Sequence, residues 1–117
     1  MPRVNIVPLS VNKAWQGRRF KTKEYLKFER DMLYLLPNMI MPYPPYSIKI
    51  HYGFSSTLSD LDNPTKLVID ILQKKYKFDD KNIFELILTK EIVSKGNEFI
   101  QIDAKTYKKL NVKQLSR

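Results

Sequence analysis

The chain has 117 residues, 43% hydrophobic and 12% aromatic, which is long and apolar enough for one domain with a single modest core. It contains no cysteine, which excludes disulfides, thiolate zinc sites and thiol nucleophiles. The net charge of +9, from 21 Lys and Arg against 12 Asp and Glu, creates a field that attracts polyanions. On charge alone, a lysine-rich soluble protein without such a partner remains an alternative.

The domain is expected to span residues 1–105, followed by a basic tail at 106–117. The N-terminus has no apolar run long enough for a signal peptide, and the longest uncharged stretch, 33–48, is interrupted by four prolines. We therefore expect neither secretion nor a membrane span, and predict a cytoplasmic protein.

The N-terminal third is predicted to form a strand, a basic loop and a helix. The strand is RVNIV at 3–7, and the loop at 10–21 has its turn at Gly17. Thr22 is a favoured N-cap residue, and the helix that follows it stops before Pro37. Its apolar residues recur at helical spacing and predict one buried stripe, made of Tyr25, Phe28, Met32, Leu35 and Leu36.

A proline-rich connection at 37–46 leads into a strand in which polar and apolar residues alternate from 47 to 54. A period of two is typical of a half-buried strand. His51, the only histidine, lies on the polar side of this pattern. An exposed or lightly hydrogen-bonded histidine is favoured there over a metal or catalytic role.

The second helix is predicted to start at NPTK. Asn63 suits the N-cap, and Pro64 suits the first helical position because its missing N–H would have no partner there. Its buried stripe is predicted to consist of Leu67, Val68, Ile71 and Leu72.

Two more strands are predicted after this helix. Residues 83–93 are too β-branched for a helix, and residues 98–105 alternate again after a turn at 94–97. We interpret 83–104 as a β-hairpin. The elements together predict an α+β fold in which a small mixed sheet of about four strands packs against two helices in a single domain.

Aspartates flank the second helix on both sides, so an acidic segment interrupts a basic chain. Asp60 and Asp62 point the same way if the chain between them is extended. Asp79 and Asp80 precede the next strand, which we expect beside the strand at 47–54 because the helix carries the chain back across the sheet. Both pairs are then expected at one edge of the sheet.

Carboxylates crowded in this way favour a bound cation, because two unit charges ~4 Å apart interact by about 4 kcal/mol at an effective dielectric of about 20. Hard oxygen ligands suit Mg²⁺ or Mn²⁺. Lys66 and Asp70, four residues apart, share a helix face nearby, and a lysine there would stabilise the transition state of phosphodiester hydrolysis. The alternative is that these aspartates only cap the helix and the turn.

Basic residues elsewhere are candidates for contacts with DNA phosphates, or are simply solvated charges. These candidates are Lys13, Arg18, Arg19, Lys21, Lys74, Lys75 and Lys77, with Lys23 beside them. Trp15 or Phe20 in the first loop is suited to stacking on exposed bases, and Trp15 is equally suited to core packing.

The motif D-L-D-N-P-T-K at 60–66 is followed by Asp70 in the helix. Then come F-D-D-K-N-I at 78–83 and Lys90 in the next strand. This order of residues resembles the signature of RusA-type Holliday-junction resolvases. The stretch P-L-S-V-N-K-A-W at 8–15, with the basic loop and helix after it, is similar to the N-terminal half of that family.

The resemblance covers about residues 5–105. It implies a Mg²⁺-dependent endonuclease, often encoded by phages or prophages, that cuts four-way DNA junctions symmetrically as a homodimer. By position it implies that Asp60, Asp62 and Asp80 bind the metal and that Lys66 is the essential basic residue. A dimer also follows from the substrate, since a junction offers two equivalent strands to a twofold enzyme.

Two other functions stay open at this point. One is a non-catalytic nucleic-acid-binding module, in which the carboxylates serve as caps and turn residues. The other keeps the nuclease chemistry but acts on branched DNA in general, such as forks or flaps.

Overall fold

The computed structural model describes residues 2–16 and 20–109. The elements in chain order are β1 Arg3–Val4, β2 Trp15–Gln16, β3 Phe20–Lys21, α1 Lys23–Leu35, β4 Tyr46–Phe54, α2 Thr65–Tyr76, β5 Ile83–Ile92 and β6 Phe99–Thr106. The main sheet has the order β1, β6, β4, β5, and β2 pairs with β3 in a second, two-stranded sheet. The predicted α+β fold with a mixed four-stranded sheet and two helices is confirmed.

Strand β4 has a neighbour on each side. It runs parallel to β5, with Ile48 opposite Leu86, and antiparallel to β6, with Ile50 opposite Ile102. The parallel pair is possible because α2 carries the chain back from the end of β4 to the start of β5. Its side chains alternate between the helix-covered face and the opposite one, as predicted.

The predicted hairpin of 83–104 is wrong, because β5 and β6 lie on opposite sides of β4. The connecting segment passes over the end of β4, where the Val93 N–H donates to the Phe54 carbonyl at 2.8 Å. It then turns at Gly96, which has a φ of 98°. Strand β6 is much more buried than β5, and a place between β1 and β4 supplies that burial where a hairpin at the sheet edge would not.

Helix α1 begins as predicted. The Thr22 hydroxyl accepts a hydrogen bond from the Tyr25 N–H at 3.2 Å, which satisfies one of the unpaired donors at the helix start. The predicted stripe is buried except for Leu35, which is 46% exposed. The helical repeat brings Leu36, not Leu35, onto the face of Phe28 and Met32.

Helix α2 buries the predicted stripe, but its predicted N-cap is wrong. The helix begins at Thr65, and Pro64 occupies the cap position without a side-chain hydrogen bond. Asn63 instead accepts the Val11 N–H at its carbonyl, at 3.2 Å. The residue thus joins the N-terminal segment to the loop before α2.

Both helices cover the same face of the sheet. Ile50 and Tyr52 of β4 belong to one buried cluster with Ile71 of α2 and Met32 of α1. The opposite face of β4 presents Lys49 and His51. One hydrophobic layer between helices and sheet therefore forms the core.

The N-terminal strand is shorter than predicted, because only Arg3–Val4 pairs with β6. In the loop after it, β2 and β3 pair around residues 17–19, and the predicted turn at Gly17 lies outside the described residues. The predicted tail at 106–117 is described only up to residue 109, with Thr106 still in β6. In the described ranges, no helix has the length and apolar character needed to cross a bilayer.

Candidate functional site

An open groove of about 300 Å³ lies between α2 and the helix-facing side of β5. Leu86 and Leu88 form its apolar base, and Lys66 and Asp70 lie along its α2 side. The helical repeat puts these two charged residues on one face, away from the buried stripe. Its full lining is Asp62, Thr65, Lys66, Ile69, Asp70, Asp80, Leu86 and Leu88.

The loop before α2 brings Asp62 to this groove and is held at several points. The Thr65 N–H donates to the Asp62 carbonyl at 3.1 Å, which fixes the loop to the first turn of α2. The Lys90 ammonium of β5 donates to the Ser59 carbonyl at 2.6 Å. Asp62 therefore lies near the end of β5, in a backbone held from two elements.

The turn after α2 brings Asp80 to the same groove near the start of β5. Asp79 caps this turn, because its carboxylate accepts the Lys81 N–H at 3.1 Å. The Asp80 N–H donates to the Gln73 side chain of α2 at 2.9 Å. Asp79 thus has a structural partner, whereas Asp80 lines the groove.

Among the described residues, the charged side chains of the groove have no hydrogen-bond or ion-pair partner. Within residues 2–16 and 20–109, the side chains of Asp62, Lys66, Asp70 and Asp80 form no hydrogen bond or ion pair. Three carboxylates and one ammonium therefore line a common open space. This arrangement is available to a cation, to a phosphate, or to both.

Asp60 lines a different recess, of about 70 Å³, with Pro8, Ser10 and Asn63. In the described part of the chain, no three His, Cys, Asp or Glu side chains are grouped closely enough to hold a metal ion. Carboxylate oxygens are the right donors for Mg²⁺ or Mn²⁺. One chain, however, brings only Asp62 and Asp80 of the predicted ligands to the groove, and leaves Asp60 beside it.

A buried hydrogen-bonded pair supports the groove from below. The Tyr52 hydroxyl lies 2.7 Å from the Thr65 hydroxyl, which in turn donates to the Leu61 carbonyl at 2.6 Å. Burial raises the pKa of Tyr52 well above its ordinary value. Sequence reasoning missed Thr65, because only the crossover from β4 to α2 brings it beneath this loop.

Two of the candidate phosphate-binding lysines are engaged with Glu29 of α1. Its carboxylate lies 3.1 Å from the Lys21 ammonium and 3.3 Å from the Lys74 ammonium. Burial raises the pKa of Glu29, but these hydrogen bonds outweigh that effect and hold the pKa below its ordinary range. Burial and the negative charges of Asp70 and Glu29 raise the pKa of Tyr25 to about 12.

The remaining candidates for DNA binding differ in their surroundings. The Lys75 ammonium donates to the Leu33 carbonyl at 2.9 Å and so joins the two helices. Lys13 and Lys77 are exposed and form no ion pair with any residue that the structure describes. Arg18 and Arg19 lie outside the described residues.

The aromatic residues of the first loop are both accessible. Trp15 meets Tyr25 edge to face with 5.4 Å between ring centroids, and part of its ring stays exposed. Phe20 is largely exposed. Trp15 therefore packs against Tyr25 with part of its ring, and the exposed part is accessible to a ligand.

His51 lies on the helix-free face of the sheet. Its ring nitrogens are 2.7 Å from the Thr89 hydroxyl and 3.1 Å from the Glu91 carboxylate. Both partners belong to β5, so these bonds tie the outer strand to β4. These contacts match the prediction that His51 is a lightly hydrogen-bonded histidine.

Comparison with known proteins adds no relative, since no protein-family model and no curated protein matches this chain. The resemblance to RusA-type resolvases therefore depends on the motifs in residues 60–66 and 78–83 and on the groove that the two segments share.

Proposed function

We propose that this protein is a metal-dependent endodeoxyribonuclease that hydrolyses phosphodiester bonds in branched DNA, with four-way junctions as the preferred substrate. The observation that carries the proposal is the groove lined by Asp62, Lys66 and Asp80, whose side chains have no hydrogen-bond or ion-pair partner among the described residues, in a chain of net charge +9. We place this activity in the cytoplasm and infer that the protein is encoded by a phage or prophage.

The carboxylates of Asp62 and Asp80, together with Asp60, are the residues that would hold Mg²⁺ or Mn²⁺. Such an ion, when bound, polarises a phosphoryl oxygen and lowers the pKa of an attacking water. Asp62 and Asp80 come from two different segments, which are held by the Lys90 bond to the Ser59 carbonyl and by the Asp80 N–H bond to the Gln73 side chain.

Lys66 supplies the positive charge of the site. It lies one helical turn before Asp70 along the groove and has no carboxylate bonded to it among the described residues. A phosphate entering the groove meets this ammonium directly. Its contribution is greatest in the transition state, where the phosphoryl oxygens carry more negative charge.

Basic residues outside the groove would hold the DNA arms. Lys13 and Lys77 are exposed and available for phosphates, and Lys21 and Lys74 share the charge of one carboxylate. Phosphate contacts position the duplex without reading its sequence. A homodimer would present two equivalent grooves to the two equivalent strands of a junction.

Cleavage of a synthetic four-way junction tests the proposal. We expect paired nicks in opposite strands with Mg²⁺ and none with EDTA. Asp62→Asn and Asp80→Asn should lower the rate by about 100-fold or more while leaving junction binding intact, because each removes one ligand charge at nearly constant volume. Asp103→Asn, on the helix-free face of the sheet, is the matched control and should cut at the wild-type rate.

The absence of nicks in Mg²⁺ with correctly folded protein would reject the proposal. Forks and flaps in the same assay decide between a junction resolvase and a general branched-DNA nuclease. A rate on flaps equal to that on junctions would favour the broader activity.

The second candidate is a nucleic-acid-binding module without catalysis. It is favoured by the observation that no three acidic or histidine side chains of the described residues form a metal site in one chain. Such a module would bind junctions with steep salt dependence and with the same affinity in Mn²⁺ and in EDTA.

A further inference from the structure

Leu58 is an exposed apolar side chain at the tip of the loop that joins β4 to α2. It is 89% exposed, and its neighbours at 55–57 and 59 are all serine or threonine. Tight turns are usually built from Gly, Pro, Asn, Asp or Ser, so the turn does not require a leucine. The core does not require it either, which leaves this side chain available for contact with another molecule.

Hydrogen bonds hold the backbone of this tip in place. The Ser56 carbonyl accepts the Ser59 N–H at 3.3 Å, and the Ser56 hydroxyl accepts the Leu58 N–H at 3.2 Å. The Lys90 ammonium of β5 donates to the Ser59 carbonyl at 2.6 Å. A side chain on a backbone that is already ordered loses less conformational freedom when it binds, so the tip is preorganised.

The other end of the loop is tied to the turn between β5 and β6. The Ser55 hydroxyl donates to one carboxylate oxygen of Glu98 at 2.8 Å, and the Gly96 N–H donates to the other oxygen at 2.8 Å. Lys95 precedes this glycine and is exposed. Lys90 and Lys95 therefore bring positive charge to the two ends of the loop, where it attracts a polyanion to the tip.

Position, more than exposure, distinguishes Leu58. Ile40 is 96% exposed and Tyr43 is 86% exposed, but both precede β4, at the opposite end of that strand from the loop. Leu58 comes four residues before Asp62, and an extended chain of that length spans at most about 14 Å. This span equals about four base steps along a DNA strand. The tip therefore lies within a few base pairs of a phosphate bound in the groove.

We propose that Leu58 is a wedge that enters the branch point of the DNA, an inference that rests on the proposed function. Its side chain packs against the open face of a base pair at the crossover, and Lys90 and Lys95 contact phosphates on either side. Leucine is one of the residues that proteins insert between base steps. The phosphate to be cut then lies beside Asp62.

A branch point favours such a wedge over a continuous duplex. Insertion into a linear duplex separates two stacked base pairs and loses their stacking energy. At the centre of an open junction, the last base pair of each arm has one face without a stacked neighbour, so the insertion costs less. Leu58 thereby selects branched DNA without reading its sequence. The groove chemistry alone does not supply that selectivity, because any phosphodiester satisfies it.

Fluorescence of 2-aminopurine tests the insertion, because this adenine analogue becomes brighter when it loses a stacked neighbour. The probe is placed next to the crossover of a four-way junction, and the Asp62→Asn protein is used so that the DNA stays intact. We expect fluorescence to rise on binding. Adding Leu58→Ala should remove most of the rise, and adding Leu58→Met, which keeps a long apolar side chain, should retain it. An equal rise with Leu58→Ala would overturn the wedge.

Two controls locate the effect at the tip. Ile40→Ala makes the same kind of truncation at a 96% exposed position outside the loop and should leave the rise unchanged. A probe about ten base pairs from the crossover lies about 34 Å away, beyond the reach of the tip, and should not respond. A response of the distant probe, or loss of the rise in Ile40→Ala, would show that the tip is not its cause.

Affinity tests the selectivity for branched DNA. Leu58→Ala should weaken binding to junctions by about 10-fold and binding to linear duplex by less than about twofold, because only the junction offers an open base-pair face. Fluorescence anisotropy at one salt concentration provides both affinities. Equal losses on the two DNAs would make Leu58 a general contact and overturn the wedge.

Salt dependence tests the lysines beside the wedge. Lys95→Gln should lower the slope of log affinity against log salt by about 1, because one phosphate contact is lost. Lys105→Gln, on the helix-free face of the sheet, is the matched control and should keep the wild-type slope. An unchanged slope in Lys95→Gln would overturn the placement of this lysine beside the DNA.

These outcomes separate the wedge from the nuclease. If the protein binds junctions with a Leu58-dependent rise in fluorescence but wild type does not cut them in Mg²⁺, the nuclease proposal fails and the wedge stands. If wild type cuts junctions, and Leu58→Ala cuts them and discriminates against duplex equally well, the wedge fails and the nuclease proposal stands. Wild type that binds junctions no more tightly than duplex would also overturn the wedge.

Discussion

Strands β4 and β5 are parallel neighbours with similar apolar content, yet they differ sharply in burial. Ile50 of β4 is fully buried beneath the helices, whereas Ile87 and Ile92 of β5 remain exposed. Strand β4 lies between β5 and β6, and its apolar side chains pack under the helices. No described strand pairs with the outer edge of β5. Apolar composition alone therefore does not say which strand belongs to the core of this chain.

The difference indicates two uses for apolar strands. The side chains of β4 stabilise the fold of a single chain, because they leave water when the sheet meets the helices. Those of β5 contribute less to the isolated chain, and Leu86 and Leu88 form the base of the groove. Each of the following experiments tests one part of this contrast.

Shortening an isoleucine in each strand should give the largest difference. Ile50→Ala should lower the free energy of unfolding by roughly 2–5 kcal/mol, because it leaves a cavity in a fully buried site. Ile92→Ala, at a 47% exposed position, should cost less than about 1 kcal/mol. Urea denaturation of both variants at one protein concentration provides the measurement, and equal losses would contradict the contrast.

Gly53 tests the packing of β4 on its helix-free face. A Cβ at this position would clash with the Phe99 ring, so Gly53→Ala should destabilise the fold by about 1–3 kcal/mol. The same substitution in a Phe99→Leu background should cost less, since the smaller side chain leaves room. Denaturant melts of the four proteins in this cycle measure the coupling, and identical costs in both backgrounds would mean that the ring does not restrict this position.

Removing a hydroxyl tests the bond between β4 and the start of α2. Tyr52→Phe should cost about 1 kcal/mol, because the Thr65 hydroxyl loses a buried partner. Tyr34→Phe, at an exposed position, is the control and should leave the melting temperature unchanged. A neutral Tyr52→Phe would indicate that this hydrogen bond does not hold the groove together.

Substitution of Lys90 should have the smallest effect on stability, but it should loosen the loop that carries Asp62 to the groove. Lys90→Met removes the bond to the Ser59 carbonyl and should change the free energy of unfolding by less than about 0.5 kcal/mol. Hydrogen exchange of the amides at 56–62 should nonetheless become faster, because the loop that holds Asp62 loses its attachment to β5. Lys49→Met on β4 is the control, and unchanged exchange in Lys90→Met would show that the loop is held by other contacts.

Local patterns predicted much of this fold. Thr22 capped α1 as expected, the stripe of α2 was buried as expected, and the alternation in β4 matched its two faces. Strand order was mispredicted for 83–104, because the choice between pairing with β5 and pairing with β4 depends on the burial of the whole sheet. A local sequence pattern does not contain that comparison.

The candidate site was predictable to the level of its segments. The motif singled out Asp60, Asp62, Lys66 and Asp80, and all of these except Asp60 line one groove. The different recess of Asp60 and the bond of Lys74 to Glu29 depend on side-chain positions that follow only from the assembled fold. Thr65 was missed because its role depends on Tyr52, thirteen residues earlier.

Isothermal titration calorimetry of the wild-type protein with Mn²⁺ tests most directly whether the groove carboxylates bind a divalent cation. The account predicts a saturable site that Mg²⁺ displaces, that both Asp62→Asn and Asp80→Asn abolish, and that Asp103→Asn retains. Wild-type protein with no saturable site, or equal affinity in all three variants and wild type, would contradict it.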